Sequence, residues 1–464
     1  MKKQYVFAAL GGAYDCLAVI RSSFRYHSRE RGCMRWVILA LLFIFYVINF
    51  ADKSVLGLAS EPIMNDLNLN YEQFGLAGSS FYWMYAVGSI FIAGLSNRFG
   101  TKKLLMFLAL GWTISLVSAY LVNTLTLLVV VRVLLGFFEG ATLALCITHL
   151  TKWFAPGARG TATAILLSGA TFGAYLTAPL LVRLIGGFGW QFTFAALGVS
   201  SFIWLIAFGF FKEKPDTLRL AGYSAEGEAV PPVEEKQDMR ISEVMRMLAT
   251  PYFLAILSSF FIVMWMIAWI VVWAPTYLLQ IVGLTPDKMA ATFAFIGISA
   301  AVGTIVLGKI SDVLFNKTKN LRKSYVFIAL VSLVSSALAF GALTVVQTPV
   351  LAIIFLLIGI TVNAAVAPCT ASIISAIVPS RQIGFVLGFK MAVGSFAGII
   401  APLLTGYFVD ISGDNMRLGF NYGVLVAVCL YAVSAIALFA SSRKEFTFNR
   451  KQELKTAEAA ATAE

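Results

Sequence analysis

Twelve apolar stretches follow one another along the chain, each close to the 20 or so residues a helix needs to cross a bilayer. They fall roughly at 36–58, 71–95, 104–122, 127–149, 160–182, 191–211, 251–279, 288–310, 325–346, 350–375, 384–408 and 419–440. In hydrocarbon every backbone N–H and C=O needs a partner inside the protein, so spans of this length become helices. Only 12% of the residues are charged, against about 25% in soluble domains. The expected fold is an all-α polytopic membrane protein with twelve transmembrane helices.

Loop charge sets the topology. EPIMNDLNLN, after the first span, has acids and no Lys or Arg, whereas NRFGTKK, after the second, is basic. Basic loops recur at Lys152 and Arg159, across 212–250 and in DVLFNKTKNLRK, and both tails are basic; Arg183 is the main exception. The positive-inside rule then places both termini in the cytoplasm. It also accounts for the net charge of +12 without nucleic acid as a partner. The cysteines (Cys16, Cys33, Cys146, Cys369, Cys429) form no C-x-x-C pair and read as small buried hydrophobes. His27 lies in the basic tail and His149 near a helix end, where packing or solvation suffices. No metal constellation or P-loop is present, and no cofactor is expected.

The halves read as repeats. AGLSNRFGTKK after the second span matches GKISDVLFNK after the eighth, and Pro156-Gly-Ala-Arg159-Gly after the fourth matches Pro379-Ser-Arg381-Gln-Ile-Gly after the tenth. Two pseudo-symmetric six-helix bundles with a pathway between them are expected: 34–211 and 251–441. A cytoplasmic linker, 212–250, with Pro231-Pro232 and one amphipathic piece, joins them, and 442–464 is a cytoplasmic tail. Residues 1–33 do not fit: their apolar run is too short to span, contains Asp15 and lacks a cleavage site. They read as a dispensable extension, or translation starts at Met34.

Four charged residues, Asp52, Lys53, Arg132 and Glu139, lie inside spans. Each costs about 2.5–3.5 kcal/mol on insertion scales, so such charges mark function by default. At the helical rise, Asp52 lies roughly 7–8 Å outward of the first span's midpoint and Arg132 about 9 Å outward of the fourth's. Glu139 is near mid-membrane, on nearly the same helix face as Arg132. Asp52, Arg132 and Glu139 are therefore expected to form a set in which Arg132 keeps one carboxyl ionised. A carboxyl losing its cation takes up a proton, which is the physics proton coupling needs. The alternative is a static ion cluster fixing helix packing. Gly136, between Arg132 and Glu139, would admit a close helix or substrate. Lys53 points about 100° away from Asp52 and is the candidate anion ligand; its alternative is merely to neutralise Asp52 or to snorkel outward. Asn49 is expected to support Asp52.

The twelve spans, central linker and loop motif resemble the major facilitator superfamily. Asn49-Phe50-Ala51-Asp52-Lys53 is similar to the N-Y-x-D-R of its anion:cation symporter family, and Arg132-Val-Leu-Leu-Gly136-Phe-Phe-Glu139 to that family's R-x-x-x-G-x-x-E. Trp153-Phe154-Ala-Pro-Gly-Ala-Arg159-Gly160 and Trp273-Ala-Pro275-Thr276-Tyr277-Leu278 are also similar to family motifs. The resemblance implies sugar-acid or other organic-anion transport, with Asp52 and Glu139 as proton-linked carboxyls. It implies a substrate-facing tyrosine at Tyr85, with Tyr82 nearby, although both also suit packing.

Arg98, Lys102 and Lys103, with Asp312 in the second half, would clamp helix ends in the outward-open state; Asn97 replaces the superfamily's loop Asp. Lys53 stands where the family has Arg, giving a point charge rather than a fork. Ala170 stands where sugar-acid relatives carry Gln, and Met391-Ala-Val-Gly394-Ser395 where they carry N-x-x-G-N. Fewer amides suggest a less hydroxylated acid. Asn363 and Ser395 remain candidate polar contacts. Lys390 is expected to snorkel, and Trp265, Trp269 and Trp273 to form a packed stripe.

The expected function is proton-coupled uptake of an organic carboxylate by alternating access, in a bacterial inner membrane and as a monomer. The rivals are an anion or organophosphate exchanger without proton movement, and a transport-dead metabolite receptor. No catalytic constellation suggests an enzyme.

Overall fold

The structure is a computed structural model that describes residues 34–154, 156–213, 241–378 and 382–461. The extension 1–33, with Cys16, Cys33 and His27, most of the linker, and Pro379–Arg381 lie outside the described residues.

Among the described residues eleven helices are long and apolar enough to cross a membrane, and a bent pair, taken as one span, makes a twelfth. In order they are α1 (Met34–Leu58), α2 (Tyr71–Gly94), α3 (Thr101–Leu121), α4 (Leu125–Leu150), α5 (Ala158–Leu176 with Ala178–Phe188), α6 (Trp190–Gly209), α7 (Pro251–Ile281), α8 (Pro286–Thr318), α9 (Arg322–Val345), α10 (Pro349–Ile377), α11 (Phe385–Ile411) and α12 (Met416–Arg443). The α5 pieces meet at 43°, beside Pro179, which cannot donate to the preceding turn. Just before that bend, Phe172–Leu176 form a π turn, with Thr177 N–H donating to the Phe172 carbonyl at 3.1 Å. Within the linker, Ile241–Leu248 is helical, and the last helix continues to Ala461.

The two halves share a local break. Regular helix in α4 stops at Glu139 and resumes at Thr142; in α10 it stops at Asn363 and resumes at Val366. Each first segment has 15 residues. Glu139 and Asn363 therefore hold equivalent places in the two repeats, a carboxyl in one and a neutral amide in the other.

The hydrogen bonds joining the halves lie on the side of the acidic first loop. Asp410 at the end of α11 accepts from Tyr71 N–H at 3.0 Å and Glu72 N–H at 2.7 Å. Asn70 and Gln73 bond each other reciprocally, so the α2 N-terminus is fully partnered. Ser60 bonds Thr276, and Glu61 accepts from Gln280. Along the same helix pair, a Cβ on Gly75 would lie 2.6 Å from the Pro402 carbonyl oxygen. Toward the basic loops, Gly94 of α2 and Gly388 of α11 would meet nothing within 4 Å. Among the described residues the hydrogen bonds between the halves thus lie on the acidic-loop side, and Gly94 and Gly388 face open space toward the basic loops.

Candidate functional site

α1 and α4 bring the four intramembrane charges together in the N-terminal half. The fully buried Asp52 carboxyl lies within electrostatic reach of that of Glu139. Lys53 Nζ sits 2.5 Å from Glu139 Oε2. It also donates to Asn49 Oδ1 at 2.9 Å and to the Asn49 carbonyl at 3.1 Å. The Phe50 ring centroid is 4.2 Å from the ammonium, a cation–π contact. The Lys53 side chain keeps 11% of its surface open while that of Glu139 has none, so the cation is the member that reaches the cleft.

Three of the sequence expectations change here. Arg132 forms no ion pair with Asp52 or Glu139. It remains within their electrostatic reach, but its guanidinium lies 4.9 Å from the Phe81 centroid, with Nε and Nη1 unpartnered. The reason is stem length: Lys53 curls back one turn along α1 and reaches Glu139, although its Cα points away from Asp52. Lys53 is therefore the partner of Glu139 as well as the exposed cation. Asn49 supports Lys53 rather than Asp52, and its Nδ2 is buried without a partner. Asn363 accepts from Tyr431 O–H at 2.7 Å; it faces α12 inside the C-terminal half instead of the cleft.

Gly136 behaves as expected, since a Cβ there would collide with the Phe81 carbonyl of α2. That close crossing brings Tyr82 and Tyr85 over the cluster. Lys53 lies 6.0 Å from the Tyr85 centroid, and Tyr82 lies within electrostatic reach of Lys53, Arg132 and Glu139. Tyr46, absent from the sequence reading, joins them: it is buried, one helical turn before Asn49, and within reach of Tyr85 and Glu139. Its spacing of seven from Lys53 was the available signal.

Other candidates stand apart. Ser395 donates to the Met391 carbonyl of its own helix at 3.1 Å. Lys102 donates to the Gly209 carbonyl at 2.8 Å, and Asp312 accepts from Tyr325 O–H at 2.8 Å, each inside its own half. Arg98 lies 5.4 Å from the Phe99 centroid and Lys103 is exposed. Lys390, expected to snorkel, is buried. It bonds Thr370 Oγ1 at 3.1 Å and the Ala367 carbonyl at 3.3 Å, over the Phe260 ring at 4.1 Å. Those partners come from α10 and α7, which satisfy the ammonium inside the bundle. Trp265, Trp269 and Trp273 are buried, and Trp273 Nε1 donates to the Pro402 carbonyl at 2.9 Å.

A network at the span ends ties α3 and α4 to Glu213, just beyond α6. Glu213 accepts from Lys152 Nζ at 2.5 Å and from Thr101 N–H at 2.9 Å, while Thr101 Oγ1 meets His149 Nδ1 at 2.8 Å. Partial burial pushes the Glu213 carboxyl up, but the hydrogen bonds from Lys152 and Thr101 outweigh it and hold the group below the usual glutamate range. Cys146, Cys369 and Cys429 are free, and no metal-binding group occurs among the described residues.

Two six-helix halves around a charged mid-membrane cluster define a multi-pass membrane transport protein rather than an enzyme. The family model of the Major Facilitator Superfamily matches residues 42–328 and 319–462, and the chain belongs to that family. It is 28% identical over 381 residues to the hexuronate transporter of Bacillus subtilis, covering 81% of this chain and 88% of the relative. It is 25% identical over 414 residues to a probable sulfoacetate transporter of Cupriavidus necator, covering 88% and 94%. In fold it is similar to a bacterial homologue of the human lysosomal transporter Spinster in an inward-facing, occupied conformation. That match has a TM-score of 0.74 at 18% identity and covers 88% of this chain and 97% of the other.

Proposed function

We propose that this protein takes up an organic carboxylate together with protons, by alternating access across a bacterial inner membrane. The observation that carries the reading is the Lys53–Glu139 ion pair beside the buried Asp52 carboxyl, whose oxygens have no partner among the described residues. A buried carboxyl without a cation of its own takes up a proton. With the basic loops cytoplasmic, the cleft faces inward, and Lys53 is neutralised by Glu139. An incoming substrate carboxylate takes Lys53 for itself. Glu139, deprived of its cation in a dry site, is then stable only when protonated. Anion and proton therefore enter as one set and leave as one. Relatives named for hexuronate and sulfoacetate support an organic anion as cargo.

The test is proton influx into proteoliposomes challenged with sugar acids, aromatic acids and small carboxylates. Wild type should acidify on substrate addition and Glu139→Gln should not. Influx persisting in Glu139→Gln would remove Glu139 from the coupling site. A second reading, electroneutral anion exchange, draws on the unpartnered Nε and Nη1 of Arg132, which leave a second cation for cargo. Counterflow independent of pH would favour it.

A further inference from the structure

Tyr175 has no role in the site described so far, yet three observations aim it at the cargo. First, it sits in the π turn of α5. Such a turn inserts one residue and re-aims the side chains around it, and it recurs at functional sites. Second, its ring crosses the divide between the halves. A Cβ on Gly297 of α8 would strike Tyr175, and the Phe293 ring lies 5.1 Å away. Tyr82 does the same on the other flank: a Cβ on Gly398 of α11 would lie 2.6 Å from its ring. Two tyrosines of one half are thus seated on glycines of the other, at mid-membrane depth. No protein group among the described residues accepts from or donates to either hydroxyl, and the two are within electrostatic reach of each other. Third, Ser54 Oγ donates to the Ala174 carbonyl at 2.6 Å. The residue after Lys53 is therefore bonded to the residue before Tyr175.

We infer that Tyr175 and Tyr82 are paired substrate ligands that hold a hydroxyl or other acceptor oxygen of the cargo at the end away from its carboxylate. Lys53 takes the acid group and the tyrosines take the far end. The cargo is thereby a hydroxylated organic acid rather than a plain alkyl carboxylate. Loss of the helix 5 and helix 11 amides at Ala170 and Ser395 is compensated by Tyr175, whose phenol reaches in from the same helix as Ala170. The inference rests on the organic-anion reading above and refines it.

The experiment measures uptake KM in proteoliposomes for a hexuronate, which is rich in hydroxyls, and for hexanoate, which has no acceptor beyond its carboxylate. Wild type, Tyr175→Phe and Tyr82→Phe are compared. Phenylalanine keeps each ring on its glycine, and an unchanged melting temperature verifies the fold. The expected result is a KM raised about five- to tenfold for the hexuronate in each variant, with hexanoate within twofold, as for one lost hydrogen bond. Equal effects on both acids, or none on either, would overturn the ligand role and leave the rings as packing. Uptake of neither acid by wild type would overturn the carboxylate reading itself, a failure seen before any variant is made.

Discussion

Lys53 of α1 and Glu139 of α4 meet at 2.5 Å, and only the lysine keeps surface open to the cleft. Removing one member of a buried pair strands the other charge, typically at about 3–5 kcal/mol. Lys53→Ala should therefore lower the melting temperature more than the double variant Lys53→Ala/Glu139→Gln. Thermal unfolding in detergent checks the order; a double variant less stable than Lys53→Ala would mean that the pair is not what balances these charges.

Glu139→Gln should retain substrate binding while losing substrate-driven proton entry. Equilibrium binding and dye-reported acidification, run on the same preparation, separate the two. Loss of binding as well would make Glu139 a determinant of the substrate pocket's shape.

Asp410 accepts two N–H bonds from the α2 N-terminus across the halves. Charged acceptors at such positions are worth about 1.5–3 kcal/mol each. Asp410→Asn should shift the equilibrium about tenfold or more toward opening on the acidic-loop side. Spin labels at Asn68 and Asp414, both exposed on opposite halves, would report a longer distance population. An unchanged distribution would show that the glycine contacts alone hold that side shut.

Glu213 is held below the usual glutamate range, so its stabilising effect is complete above that range, near about pH 4.3, and fades as pH falls through the lowered value. Melting temperature should thus fall on acidification below about pH 4.5, and Glu213→Gln should flatten that part of the profile. An identical acid limb in the variant would assign the loss to other carboxyls.

Tyr431→Phe removes the donor to Asn363. It should cost about 1–3 kcal/mol of stability, the range for a buried acceptor left unpaired, and leave substrate KM unchanged. A raised KM would return Asn363 to the cargo site.

The spans were legible because each is a run of apolar residues long enough to be counted, and the repeat was legible in its loops. The meeting of α1 with α4 was legible from depth along two helices. Which cation takes which carboxyl was not, because a lysine stem can curl a full turn and depth arithmetic follows only the backbone. The burial of Lys390 is not legible for a related reason: Thr370 and Phe260, which satisfy it, belong to other helices and leave no trace in the local sequence. From sequence alone Asn363 is a candidate polar contact because it is an amide inside the tenth span. The partner that turns it away, Tyr431, is 68 residues further on. Tyr175 escaped because a π turn breaks the 3.6-residue period by which faces are read.

That π turn also bears on how such a chain could diversify. It holds one residue more than an α-helical path over the same length needs. Deleting a residue within Phe172–Leu176 could close the turn into ordinary helix while the flanking segments kept their own packing. The tyrosine would swing by about 100°, and a different side chain would enter the cleft. A single-codon deletion here could thus exchange one solute for another without rebuilding the bundle.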